Sequence, residues 1–315
     1  MKIKYKQPHE LHQSHAAYFT WGAIFFFFLG AYGNVTGNKS DEISTLIICS
    51  FLILTIGISH GALDNEKGKK LFKLYKIKNI SIFYSAYIAL GILIAFLWFL
   101  FPELILIIFL IVASYHFGKE DCIYPVIKNS LMFTIKGSLI IWAPLFFHFD
   151  QTLTLFETLY FEEGLSTLSK ILIYLYEGNF ILFFLLASIL SNFFIFKMKF
   201  VWVVSLAEVF LILVINFLYP PLVAFTLYFC FLHSIRHSIS LMLEMKISSK
   251  IFFKKALPLT FITAVIFIGS GWAITLNNYS LDSAILKVIF IGLASLTFPH
   301  ILLEYLVEKN GKKRN

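Results

Sequence analysis

Residues 80–101, ISIFYSAYIALGILIAFLWFLF, contain no charged side chain and no proline. At 1.5 Å per residue, a helix over this stretch reaches about 30 Å, the thickness of a bilayer's hydrocarbon core. Lys73, Lys76 and Lys78 precede it and Pro102 follows it. The rest of the chain has the same character. Its 315 residues are 59% hydrophobic and 14% charged, with a mean hydropathy of +0.81, too apolar for an ordinary water-soluble domain. Gly (16) and Pro (8) are too few for a collagen-like or disordered class. Comparable apolar runs at 17–34, 43–63, 102–117, 131–149, 179–196, 200–219, 220–243, 258–276 and 284–307 predict an all-α polytopic transmembrane helical bundle of about ten spans.

The connections test this division, because Lys and Arg gather on the cytoplasmic side of short loops. With the N-terminus inside, only Lys39 and Lys170 of the 26 basic residues fall in external segments, and Lys136, Arg236 and Lys287 lie within spans. Lys2, the Lys67–Lys78 cluster, Lys119, Lys197, the Lys246–Lys255 cluster and Lys309–Arg314 all fall inside. Both termini are therefore expected to be cytoplasmic. The net charge of +8 is a signal of topology, which removes the main support for a nucleic-acid partner. One integral membrane domain, 1–315, is the simplest partition. It has a cytoplasmic N-terminal segment at 1–16 and one sizeable external loop at 150–178, of which Leu165–Tyr176 reads as an interfacial helix. The run at 17–34 is too long, and too poor in small-x-small sites, for a cleaved signal. Cys49, Cys122 and Cys230 show no metal-type or disulfide spacing.

Ionisable groups within a bilayer are costly and mark function by default. His60, His116, His233, His237 and His300 sit in the second, fourth, eighth and tenth spans, all of which run inward in the assigned topology. His60 lies about six residues, roughly 10 Å, before the Glu66-Lys67 boundary. The other four lie similarly near the inner ends of their spans, which places five imidazoles in one slab of the cytoplasmic half. His233 and His237 are four apart and can serve one ion. The same spacing links His60 to Asp64 and His300 to Glu304, so each carboxylate can orient its imidazole or add a ligand. The blander reading is histidines bonding Ser or backbone across helices, which suits a single one better than the set. His148, at an outer end, reads as interfacial, and His9, His12 and His15 as surface polarity. Lys136 and Lys287 are expected to snorkel, and Arg236 to pair with Asp64, Glu120 or Asp121. Imidazole suits Zn, Cu, Fe and Ni alike, while the lack of paired thiolates disfavours iron–sulfur and structural zinc sites.

Ser59-His60-Gly61-Ala62-Leu63-Asp64, Ser114 with His116-Phe117-Gly118 and Asp121, His233-Ser234-Ile235-Arg236-His237, and Pro299-His300 resemble, in order, the blocks of the Brp/Blh family. These are bacterial and archaeal membrane β-carotene 15,15′-dioxygenases. The resemblance runs from about residue 43 to 307. It implies O₂-dependent cleavage of the central double bond of β-carotene to two all-trans retinal, in the inner membrane, with a functional link to a retinal-binding rhodopsin. It also implies Fe(2+) bound by His60, His116, His233 and His237, with His300 as fifth ligand or orienting group. Ser59 stands where a proline commonly precedes the first histidine, and Asn65 where a histidine often follows Asp64. Neither change removes a proposed ligand.

Dioxygen and carotene both concentrate in hydrocarbon, where apolar walls limit water. Carotene is about as long as the roughly 30 Å core, so its central bond meets an off-centre metal through a side opening between helices rather than an axial pore. A membrane di-iron desaturase or hydroxylase is the nearest enzyme rival, although it uses more histidines in several cytoplasmic boxes. A metal or proton transporter would also bury His and Asp. A rhodopsin-like retinal binder would need Lys287 as its Schiff base.

Overall fold

The structure is a computed structural model describing residues 15, 19, 21, 42–122, 129–161, 165–195 and 199–312, apart from the side chains of 42, 59, 60, 62, 199–203, 311 and 312. Among the described residues every regular element is helical. In chain order these are α1 (Glu42–Leu52), a π turn (Ile53–Gly57) and a 3-10 turn (Ile58–Leu63), then α2 (Asp64–Leu74), α3 (Ser81–Leu100) and α4 (Pro102–Glu120). Next come α5 (Ser130–Gly137), α6 (Leu139–Phe147), α7 (Phe149–Thr158), α8 (Thr167–Glu177), α9 (Phe180–Ile195) and α10 (Lys199–Leu218). The chain continues through α11 (Pro221–Thr226), a π segment (Leu227–Ser234), α12 (Ile235–Met245), α13 (Ser249–Thr275) and α14 (Leu281–Lys312).

Six of these units are long and apolar enough to cross a membrane: Ser81–Leu100, Pro102–Glu120, Ser130–Phe147, Pro221–Met245, Ser249–Thr275 and Leu281–Asn310. The other described runs form shorter or bent elements. Ile43–Gly57 and Val204–Leu218 are short, and α8 meets α9 at 84°, the bend of a broken span or a re-entrant loop. The run at 17–34 lies outside the described residues except for buried Phe19 and exposed Trp21. Pro221–Met245 is the most enclosed of the six, while α3 and α13 turn most of their surface outward. Exposed Ile88, Ile92, Phe96, Phe261 and Ile268 on those two helices suit lipid contact.

Several expectations are corrected. The run placed at 258–276 begins at Ser249, because Pro258 is accommodated within the helix. The region 150–178 is mostly helical: α7 and α8 fold over one end of the bundle, burying Thr152, Phe156, Leu159 and Tyr160. Lys287 is 1% exposed and does not snorkel. Its Nζ donates to the carbonyls of Thr158 and Tyr160 beyond the C-terminal turn of α7 and lies over the rings of Phe161 and Tyr279. Glu103 accepts from the backbone N–H groups of Thr167 and Leu168, capping the N-terminus of α8. His15 is buried rather than at the surface, with its Nε2 3.0 Å from the Phe231 carbonyl.

The tightest crossing joins α4 to α5. A Cβ on Gly118 would lie 1.8 Å from the Phe133 carbonyl oxygen, and one on Gly137 would lie 1.9 Å from that of Ser114. Only hydrogens permit this approach, and it fixes the helix that carries His116. Backbone cannot yield as a flexible side chain would, so Gly118→Ala is expected to destabilise the protein by more than about 2 kcal/mol. A drop in thermal midpoint of the detergent-solubilised protein would show it; an unchanged midpoint would contradict the crossing.

Candidate metal centre

Four histidines from three helices meet at the lysine-rich end of the bundle. His116 comes from the last turn of α4, His233 from the π segment, His237 from α12 and His300 from α14 beside Pro299. All four are at most 5% exposed. His116 lies 5.1 Å from His233, 6.3 Å from His237 and 5.3 Å from His300, measured between ring centroids. His237 is 6.3 Å from His233 and 5.4 Å from His300.

Local irregularity makes the convergence possible. The π segment widens the helix ahead of His233, and the facing chain has its own π turn at Ile53–Gly57. The Ser234 hydroxyl donates to the Gly57 carbonyl at 3.2 Å. A Cβ on Gly57 would sit 2.6 Å from the Phe229 ring. Rings of Phe225, Phe229, His233 and His237 stack in near-parallel steps along this helix. Phe117 meets His233 edge-on at 4.7 Å. π turns concentrate at functional sites.

Each imidazole faces a carboxylate through Nδ1. Asp64 lies 2.8 Å from His300 Nδ1, Glu120 3.2 Å from that of His237, Asp121 3.4 Å from that of His233 and Glu304 3.8 Å from that of His116. At hydrogen-bond distance, as for His300 and His237, a carboxylate holds the proton on Nδ1 and leaves Nε2 as the metal-binding atom, the arrangement around most metal-bound histidines. Glu304 reaches further, placing Oε1 3.5 Å from His237 Nε2 and 3.7 Å from His300 Nε2, while Lys67 Nζ binds it at 2.5 Å. Among the described residues two overlapping groups have the spacing to hold an ion: His116, His300 and Glu304, and Glu120, His237 and Glu304.

The donor set fits a metal. An imidazole nitrogen about 2.0–2.1 Å from an ion puts the ring centroid about 3.2 Å away, so rings sharing one ion have centroids no more than roughly 6.5 Å apart. The five separations above meet that limit, and His233 and His300 are not among the close ring pairs of the described residues. Among the described residues His116 Nε2 is buried without a hydrogen-bond partner, as a nitrogen reserved for an ion would be.

The sequence placed most of these residues and mispaired some. His60 lies in the 3-10 turn, but its side chain is outside the described residues. Its neighbour Gly61 comes close to the site, since a Cβ there would be 3.9 Å from His300 Nδ1. Asp64, linked to His60 by spacing, bonds His300 Nδ1 and the Tyr87 hydroxyl, each at 2.8 Å and each from another helix. His300 and Glu304 are brought together as expected. Arg236 does not reach Asp64 or Glu120 by any ion pair among the described residues. It stands 3.9 Å from Asp121 and pairs chiefly with Glu208, which sequence reasoning missed. Glu208 is a carboxylate within an apolar run, and the cost of such a group was the signal that could have found it.

Long apolar helices around a buried histidine–carboxylate cluster define the class: an α-helical membrane protein with a centre able to hold a metal. The family model for beta-carotene 15,15′-dioxygenase matches residues 51–308, and the chain belongs to that family of dioxygenase enzymes. It is also 29% identical over 261 residues to a beta-carotene 15,15′-dioxygenase from uncultured marine bacterium 66A03, covering 80% of this chain and 90% of that one. No solved structure matches it significantly.

Asp64 joins buried His300 and half-buried Tyr87, and the cost of removing it should exceed that of removing either partner's single bond. Tyr87→Phe is expected to lose about 1–2 kcal/mol. Asp64→Ala strands both the His300 Nδ1 and the Tyr87 hydroxyl and is expected to lose about 3–5 kcal/mol. Denaturation midpoints of the two variants, measured side by side, check the order; equal midpoints would remove Asp64 from the network.

Proposed function

We propose that this chain cleaves the central 15,15′ double bond of β-carotene with O₂ to give two all-trans retinal, at one Fe(2+) in the cytoplasmic half of a bacterial or archaeal inner membrane. The observation that carries the reading is the convergence of His116, His233, His237 and His300 with their Nδ1 atoms against carboxylates. His116, His233 and His237 are assigned as ligands with His60, and His300 and Glu304 as a fifth ligand or orienting groups. The proposed topology keeps about ten spans and both termini in the cytoplasm. A retinal-binding rhodopsin is the proposed user of the product.

The reaction breaks one carbon–carbon double bond and gives each carbon one oxygen atom of O₂, so it needs no external reductant and no general base. A bound Fe(2+) would supply open coordination positions beside the ligands for activating dioxygen. The protein's own tasks are to orient, enclose and exclude water. Asp64, Glu120 and Asp121 hold Nδ1 protons and aim the Nε2 lone pairs inward. Phe117 and Phe229 pack against His233 and keep its surroundings apolar. Across the lysine-rich end, α2 buries Asp64, Lys67, Gly68 and Leu71. The pairs Lys67–Glu304, Lys70–Glu244 and Lys119–Glu308 tie that end together. This cover supports lateral access, with carotene tilting or sliding between helices until its central bond reaches the site.

One observation favours a second reading. The two ion-holding groups share Glu304, as a carboxylate bridging two metals would. Iron analysis separates the enzymes, since the dioxygenase predicts one iron per chain and a di-iron desaturase or hydroxylase two. Expression in a β-carotene-producing bacterium then tests the activity. Loss of orange colour with retinal accumulation is expected, and His233→Ala is expected to abolish both. Unchanged pigment with folded protein would refute the assignment, and ion flux in vesicles without O₂ consumption would favour a transporter.

A further inference from the structure

Behind His233 stands a second buried ionic group that the proposed chemistry does not use. Arg236 is 1% exposed and grips Glu208 of α10 with both ends of its guanidinium: Nη1 donates to Oε2 at 3.2 Å and Nη2 donates to Oε1. Nη1 also donates to the Asp121 backbone carbonyl at 3.4 Å and lies 3.9 Å from Asp121 Oδ1. Lys136 Nζ donates to the same carbonyl at 3.4 Å. The Tyr228 hydroxyl donates to Asp121 Oδ2 at 2.5 Å, which leaves Oδ1 facing His233 Nδ1 at 3.4 Å. Asp121 is thus held by main chain and side chain at once, at the point where α4 ends.

Stability alone is a poor reason for such an arrangement. Replacing a buried ion pair with apolar side chains of similar size is often neutral or stabilising, whereas a two-pronged Arg–carboxylate pair adds directional geometry. A cavity of only about 20 Å³, little more than one water, lies between these polar groups and apolar neighbours such as Phe117 and Ile212. The guanidinium and the tyrosine hold the Asp121 carboxylate toward His233.

We propose that Glu208 and Arg236 are positioning residues for the metal centre, acting through Asp121 to fix the orientation of His233. The inference rests on reading His233 as an iron ligand. Glu208 fixes the guanidinium, the guanidinium fixes Asp121, and Asp121 fixes the imidazole plane and its Nδ1 proton. Groups one step removed from a ligand commonly alter metal affinity about 10- to 100-fold, and this relay lies one step further out.

The test compares the wild-type full chain with Glu208→Asp, which keeps the charge but shortens its reach, and with the double variant Glu208→Leu/Arg236→Met, which removes both charges. His233→Ala is the control. Fe(2+) affinity is measured by chelator competition and ligand geometry by the visible bands of the Co(2+)-substituted protein. Both Glu208 variants are expected to bind Fe(2+) several-fold to tenfold more weakly and to shift the Co(2+) bands. In Glu208→Asp, kcat is expected to fall while KM for β-carotene stays near wild type. Unchanged affinity and bands in Glu208→Asp overturn the proposal and leave the pair a structural element, whatever the folding of the double variant. If wild-type protein binds no Fe(2+), or His233→Ala binds it equally well, the ligand reading itself fails.

Discussion

A polar group in hydrocarbon has no water to fall back on, and the arrangement of this protein follows from that constraint. The helices facing outward carry many exposed Ile, Leu and Phe side chains, and Thr263 among them bonds back to the Leu259 carbonyl one turn earlier. Ionisable groups are gathered where helix ends converge, and each imidazole is met by a carboxylate from another helix or from a neighbouring turn. A solitary histidine in that setting would be a burden on stability; four with partners make a centre. The same constraint acts at the opposite end, where Lys287, Glu103 and Glu157 serve the ends of α7 and α8 and let polar chain fold over the bundle.

Regular helices alone would not deliver the site. An unbroken α-helix from 221 to 245 would fix the register between Phe229 and His237 at 3.6 residues per turn. The π segment changes that register, and the facing π and 3-10 turns at 53–63 bring the His60 turn and Asp64 alongside. Such departures cost local hydrogen-bond quality and persist where surrounding contacts enforce them. Here the enforcing contacts are the Gly57–Phe229 approach and the bond from Ser234 to Gly57. Deviations from local regularity therefore coincide with the centre, as expected when local preference yields to function.

The amino-acid sequence made the class of fold and the grouping of the histidines legible, because apolar length and residue position are one-dimensional properties. The closeness of His116, His233, His237 and His300 followed from matched depth on separate helices. Partner identity did not follow, since spacing reports only neighbours on the same helix face. Asp64 is four residues from His60 yet bonds His300 and Tyr87, and Arg236 shares a turn with the histidine pair yet binds Glu208. Lys287 looked free to reach the surface because the sequence could not show that α7 would fold back to present its carbonyls. Spans were harder to delimit where Gly, Pro or a bend interrupts them, as at Gly57, Pro258 and the turn between α8 and α9.

Charge balance supplies the remaining step. Asp64, Glu120, Asp121, Glu208 and Glu304 surround the imidazoles, while Lys67, Lys136 and Arg236 are the cations bonded within the same network. With neutral imidazoles, five carboxylates against three cations leave a formal charge of −2. Unbalanced charge is expensive in a low-dielectric interior, and attraction there offsets desolvation only when signs match at short range. A divalent ion among these imidazoles would bring the network to neutrality. A monovalent ion would leave excess negative charge, and a second divalent ion would reverse its sign, so the fixed charges favour a single dication over a bridged pair.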